Sequence, residues 1–254
     1  MRHFIFLLLV FTAPQIRAQE NRYDAFSKTI MPFLGVIAKD GKSGNRAFTL
    51  KVRIEQSSDL PAELNGASAE IAVQMPDKLR LHGPLLGGTF TLVREDEKIW
   101  IAPGAKARAL LDAAVAGKEL PPAEKKFKLS EFELPFPEKQ LVFLAALFTI
   151  KDLGSEMLDG VECRVMDVSL MPELAESIKA AGWTGRLWIR PDHTPARLTL
   201  AKKGWHIVLR FDDVKFAAEL PDGTWEPSSA EAADVLRLEP KEYSRFLRAI
   251  GGGE

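Results

Sequence analysis

The chain has 254 residues, 46% of them apolar and 27% charged, with a formal charge of −1. Those figures fit a globular protein with a sizeable core and exclude a collagenous, disordered or strongly basic nucleic-acid-binding chain. The near-neutral balance also gives no bulk electrostatic reason to sit on anionic lipid.

Residues 1–18 have the layout of a secretory signal peptide. Arg2 and His3 make a basic start, Phe4 to Ala13 is an apolar run, and the segment ends in the small residue Ala18. Cleavage is expected after Ala18, although Ile16 is an unusual residue at the third position before the cut. No cysteine follows the cut, which argues against a lipid anchor, and the run is short for an uncleaved membrane anchor. Cleavage removes Arg2 and Arg17 and leaves 32 basic against 35 acidic side chains. Cys163 is the single cysteine, so an exported chain must be stabilised by its core without an internal disulfide.

In residues 21–38, Tyr23, Phe26, Ile30, Phe33, Leu34 and Ile37 recur at helical spacing. Pro32 is expected to break or kink that helix, or to start a second one. Alternating strands follow. Phe48, Leu50, Val52 and Ile54 oppose Thr49, Lys51, Arg53 and Glu55; Ile71, Val73 and Met75 share a side; Leu79 and Leu81 oppose Lys78 and Arg80. "GGTFTLVRED" and "KIWIA" flank a polar turn at Glu95-Asp96-Glu97, and the succession suggests an antiparallel meander.

The spacing predicts a helix over 105–120, then a proline-rich loop over 121–139. "LVFLAALFTI", Leu141 to Ile150, holds one polar residue, Thr149. Pro137 and Glu138 suit a helix start, Lys151 a last turn and Gly154 a stop, so the run is expected to be a helix, covered on all sides. Ala145-Ala146 favours helix over a ten-residue strand. As a helix it would rise about 15 Å, half the hydrocarbon thickness of a bilayer. Strands resume at "DGVECRVMDVSL", a short helix runs over 171–182, and "TGRLWIR", "TPARLTLAKK" and "WHIVLRFDDVKF" continue the sheet. Pro240 to Ile250 reads as a terminal helix stopped by Gly251. The total is at least eight strands, compatible with one antiparallel sheet curled around helices.

No catalytic machinery stands out. Gly35 lies five residues before Gly41-Lys42-Ser43, where a phosphate loop needs four, and a strand follows where a helix should. His82, His193 and His206 are not at metal-ligand spacing. Cys163 is in phase with Val161 and Val165, which reads as a buried thiol. Asp212-Asp213 and Asp222 do not converge on a cation and suit turns or a sheet edge. No nucleophile elbow or dinucleotide fingerprint occurs, so neither enzyme activity nor a cofactor is expected. The five tryptophans read mainly as core or sheet-face residues, with one or two at a cavity mouth.

"IAVQMPDKLRLHGP…TFTLVREDEKIWIAPGAKA" resembles the LolA-like periplasmic carriers of outer-membrane lipoproteins. "DGVECRVMDVSL…GRLWIRPDHTPARLTLAKKGWHIVLRFDDVKF…PDGTWEP" is similar to a sister group of periplasmic proteins with that fold. The resemblance covers roughly residues 21–239. It implies a mainly β fold, an antiparallel sheet forming an unclosed barrel, with helices over its concave side and an apolar cavity for acyl chains. One departure touches function. The carriers place an Arg before the Pro of the Pro-Asp pair to hold their lid helices; here Met75 precedes Pro76, and Arg80 is not the matching residue.

The expected organisation is a signal peptide (1–18), one half-barrel domain (19–239) and a C-terminal helix and tail (240–254). The expected function is a periplasmic carrier or chaperone for lipid or lipoprotein acyl chains; the alternative is an envelope interaction or sensor domain. The cavity is expected to be lined by Leu50, Val52, Ile54, Ile71, Val73, Leu79, Leu81, Phe90, Leu92, Leu187, Ile189, Leu198, Leu200, Ile207, Leu209 and Phe211. Leu141, Phe143, Leu144, Leu147 and Phe148 would form a fixed plug or a moving lid over it.

Overall fold

A computed structural model describes residues 21–38, 44–58, 60, 62–85, 88–115, 138–177, 180–239, 241–243 and 246. The predicted signal peptide, the loop over 121–137 and most of the terminal helix lie outside these residues. The described chain runs α1 (Arg22–Val36), β1 (Ala47–Ser57), β2 (Ser68–Gln74), β3 (Lys78–Leu85), β4 (Gly88–Glu95), β5 (Lys98–Ala102) and α2 (Gly104–Val115). A 3-10 segment, Glu138–Leu147, leads into β6 (Phe148–Leu158), β7 (Val161–Leu170), α3 (Pro172–Ser177), β8 (Thr184–Ile189), β9 (Pro195–Lys202), β10 (Trp205–Ala217) and β11 (Leu236–Leu238).

The eleven strands form one antiparallel sheet in the order β11-β5-β4-β3-β2-β1-β10-β9-β8-β7-β6. It is unclosed: β6 and β11 are its two edges. Each hairpin brings consecutive strands together, and the closure of β1 on β10 joins the two halves.

Register decides which side chains share a face, because opposed residues in an antiparallel pair point the same way. Ile101, Leu92, Leu81, Ile71 and Leu50 lie opposite one another across β5 to β1. Val52 faces Phe211, and Leu209, Leu198, Leu187 and Met166 continue the row to β7. The helices pack on this face. Phe33 of α1 meets Phe48 and Phe216 edge-on at 5.5 and 4.9 Å, and Phe26 meets Phe148 at 5.3 Å. Ala107 and Leu111 of α2 join Phe90, Leu92, Ile101, Tyr243 and Phe246 in a second apolar cluster. The opposite, outer face carries the strap after β10, where Trp225 packs on Val93 and Trp100.

Several sequence expectations are corrected. Pro32 sits inside an unbroken α1. Phe26 and Phe33 hold the helix to the sheet on either side of the proline through edge-on ring contacts with Phe148, Phe48 and Phe216. The apolar run is not an α-helix. Its first part is 3-10, and Phe148 to Ile150 open β6, so Lys151 lies in a strand. Gly154 marks a β-bulge at φ +90°, a conformation that glycine adopts freely, rather than a helix stop. Nor is the run covered on all sides: Leu141, Ala145 and Ile150 are buried, whereas Phe143 is 71% and Leu147 37% exposed. A run with one polar residue in ten has no periodicity to choose between helix and strand, so tertiary packing chose. The helix expected over 171–182 is shorter, at Pro172–Ser177. Asp212 and Asp213 lie in the central strand β10, not at an edge, with Asp212 the extra residue of the bulge opposite Lys51 and Val52.

The start of α1 offers a small test. The Asn21 side chain accepts from the Tyr23 backbone N–H at 3.1 Å, capping a donor that the helix leaves unsatisfied. Asn21→Ala is expected to lower stability by about 1 kcal/mol in urea unfolding, with the slope unchanged.

Candidate functional site: an apolar pocket on the helix face

All sixteen residues expected to line a cavity fall on the helix face of the sheet. They do not form one space. Phe90 and Leu92 are consumed in packing α2, and Ile189 in the cluster with Phe26, Ala145, Met166 and Leu187. Across the middle strands, Leu50, Val52, Ile54, Ile71, Val73 and Leu79 are half-buried, and so are Ile207, Leu209 and Phe211.

Three of the sixteen, Leu187, Leu198 and Leu200, line a pocket of about 590 Å³ with Phe148 of the apolar run. α1 contributes Phe26 and Ile30; β7 contributes Val168, Ser169 and Leu170; Ala180, Trp183, Thr184 and Gly185 close the end of the sheet. Among the described residues that line it none carries a charge, and Ser169 and Thr184 supply the only side-chain hydroxyls. The size is in the range of small-molecule pockets, roughly 300–1,000 Å³. Such a lining can hold hydrocarbon.

Construction of the pocket follows from the sequence. Gly185 faces Leu200 and Val168 across β8, and its missing side chain leaves room between them. Phe26 and Ile30 are four residues apart, on one side of α1. The space therefore lies between a helix stripe and a sheet face that both present apolar side chains. The spacing of Phe26 and Ile30 was visible in the sequence; their pairing with β7 to β9 was not.

The rim carries Trp183, 37% exposed, edge-on to Trp205 at 5.0 Å. The Lys202 ammonium lies 5.6 Å from the Trp183 ring centroid. Trp100, Trp188 and Trp225 are buried.

The plug-or-lid residues divide. Leu141 is buried, Leu144 and Phe148 are half-buried, and Phe143 and Leu147 face outward. Of these, Phe148 touches the pocket.

Polar groups on the outer face are engaged with one another. Arg197 and Arg210 approach Glu55, Arg53 approaches Asp212, and Arg210 pairs with Asp159 at the β6–β7 turn. Glu231 accepts from the Thr91 hydroxyl, from Arg80 Nη2 on both carboxylate oxygens and from the Ser228 backbone N–H. His82 Nδ1 lies 2.7 Å from Thr91 Oγ1. Among the described residues no three His, Cys, Asp or Glu side chains are grouped to hold a metal ion.

Cys163 is buried with Val165, Trp188 and Ala196, whereas Val161, expected on the same buried side, is 39% exposed at the hairpin end. Burial pushes the Cys163 thiol above its ordinary pKa and holds it protonated. Ellman's reagent is therefore expected to react with it only on unfolding; fast labelling of the folded protein at pH 8 would contradict its place in the core.

No protein-family model and no curated protein matches the chain. Solved structures do. The chain is similar in fold to LolA-like proteins. A LolA superfamily protein from Nitrosomonas europaea matches at 10% identity, over 80% of this chain and 97% of that one, with a TM-score of 0.29. The lipoprotein LppX of Mycobacterium tuberculosis matches at 12% identity, over 75% and 97%, with a TM-score of 0.37. The MucA/MucB complex of Pseudomonas aeruginosa matches at 15% identity and a TM-score of 0.43, over 85% of this chain. The chain spans about 63% of the length of that last relative.

Proposed function

We propose that the protein is a periplasmic carrier or chaperone that shelters an acyl chain, from a lipid or a lipoprotein, in the pocket between α1 and β7 to β9, without catalysis. The observation that carries this reading is the uncharged lining of a 590 Å³ pocket on the helix face. Each methylene moved from water into such a lining contributes about 0.8 kcal/mol, so a chain of ordinary length has ample driving force. Export rests on the signal-peptide layout of residues 1–18. No helix among the described residues is long and apolar enough to cross a membrane.

Protein purified from an envelope fraction, extracted with organic solvent and analysed by mass spectrometry, is expected to release lipid in near-stoichiometric amount. The delipidated protein should then take up a fluorescent fatty acid. No co-purified lipid together with no uptake would overturn the carrier reading.

The second reading, an envelope interaction domain, is favoured by a different feature. The β6–β7 hairpin extends beyond β8, which pairs only with Arg164 to Val168, and it exposes Leu153, Met157 and Val161. A pull-down that yields one stoichiometric protein partner, lost in Met157→Asp, would support it.

A further inference from the structure

Two features of the pocket narrow its ligand beyond "acyl chain". The first is volume. At about 30 Å³ for each methylene-sized group, the volume of a water molecule in the liquid, 590 Å³ holds about twenty such groups. That is one chain of roughly sixteen to eighteen carbons with its nearest head atoms. A second chain of that length would exceed this volume.

The second feature is the rim. Lys202 is the last residue of β9 and pairs with Trp205, the first of β10. Leu200, two residues earlier, lines the pocket, so Lys202 is on the same face, one step further out. Its ammonium stands over Trp183, itself part of the lining. Among the described residues Lys202 has no carboxylate partner, and no charge of either sign lies in the lining below it. An apolar slot with the Lys202 ammonium at its described mouth complements an amphiphile with one tail and an anionic head. The indole of Trp183 suits the boundary between tail and head, with an apolar body and a polar edge.

Resting on the carrier reading, we infer that the ligand is a single-chain anionic amphiphile, its tail in the pocket and its head beside Lys202 at the Trp183–Trp205 rim. A fatty carboxylate and a monoacyl phospholipid share that chemistry.

Displacement of a bound fluorescent fatty acid, below the critical micelle concentration, tests it. The competitors are palmitate, monopalmitoyl phosphatidylglycerol, hexadecanol and dipalmitoyl phosphatidylglycerol. Palmitate, the monoacyl lipid or both should displace the probe about fivefold better than hexadecanol, the size of one rim charge pair. The better of the two identifies the head. Lys202→Glu should erase that preference and leave hexadecanol unchanged. Equal displacement by hexadecanol, or an unchanged preference in Lys202→Glu, would overturn the anionic-head inference while the carrier reading stands. Tightest binding of the diacyl lipid would overturn the single-chain inference. Failure of the protein to take up the fluorescent probe, or any of these lipids, would overturn both.

Discussion

Leu198→Trp is expected to lower uptake of a fluorescent fatty acid by more than tenfold while the protein stays folded. Leu198 lies in β9 between Leu187 and Leu209 on the helix face, and its side chain borders the pocket. An indole projecting there occupies the place of several ligand methylenes. Losing three of them removes about 2.4 kcal/mol of transfer free energy, and about 1.4 kcal/mol is already tenfold in affinity. Adding bulk to a filled core costs about 1–3 kcal/mol, but here the added ring enters open space, so the unfolding midpoint should move little. Ile54→Trp is the matched control: it is on the same face and half-buried, yet outside the pocket. Its uptake should equal that of the parent. Undiminished uptake by Leu198→Trp in a folded protein would place the ligand elsewhere.

The second large effect concerns stability. The strap after β10 is fastened to the outer face at Glu231. Burial pushes the Glu231 carboxyl up, but hydrogen bonds from Thr91 and the Ser228 backbone, the Ser228 side chain and the Arg80 guanidinium outweigh it, and the pKa falls from 4.5 to about 2. Ser228 and Glu231 also exchange bonds reciprocally across three residues, Ser228 N–H to the carboxylate and Glu231 N–H to the hydroxyl. Nearby, Trp100 Nε1 donates to the Trp225 carbonyl at 3.0 Å, and the Ala105 N–H donates to Asp234. A carboxyl held this far down contributes up to about 3 kcal/mol, at about 1.4 kcal/mol per tenfold in proton affinity. The sign follows from the lowered folded pKa. The contribution is complete above 4.5, the unfolded value, and is lost as pH falls towards about 2.

Glu231→Gln should therefore cost about 2 kcal/mol at pH 7, because Arg80 loses its charged partner on a largely covered surface. The difference from the parent should shrink steadily between pH 4.5 and pH 2.5, because there the unfolded chain's carboxyl takes up a proton while the folded one stays mostly ionised down to about 2. Urea midpoints at pH 7, 4.5 and 2.5 measure this. A deficit as large at pH 2.5 as at pH 7 would mean that shape, not charge, fastens the strap.

The fold was legible where alternation was strict. The strands from Phe48 to Ile54 and from Trp205 to Phe211 show which residues share a side, and antiparallel pairing carries that side from strand to strand. What periodicity could not show were the bulges. Opposite Lys51 and Val52, β10 carries one extra residue, so Phe211 and Val214 share a face although they are three apart. The outer face, which carries the strands' alternate positions, is buried at Thr91, Val93, Val208 and Arg210, because the strap and an ion-pair network cover it. No local pattern announces such cover.

The site was legible only as a face. A sequence shows that Leu50, Leu79 and Leu198 are apolar in phase, but not that Leu198 is roofed by Phe26 and Ile30 with space beneath. That space depends on where α1 lies and on the absent side chain of Gly185. Trp183, Val168 and Leu170 escaped for the same reason: each belongs to the pocket through a neighbour distant in sequence. The apolar run misled in the opposite direction. Its uniform greasiness suggested one element with one role, whereas Leu141 and Ala145 are packed inside, Phe143 points outward and Phe148 reaches the pocket from a strand.

Photocrosslinking tests the central claim most directly. Delipidated protein loaded with a fatty acid that carries a diazirine near the middle of its chain would be irradiated, digested and mapped by mass spectrometry. Labels are expected on α1 at Phe26 and Ile30 and on β7 to β9 at Val168, Leu187, Leu198 and Leu200, with loss of labelling when unlabelled palmitate competes. Labels confined to other surfaces, or spread without competition, would contradict an acyl-chain pocket on the helix face.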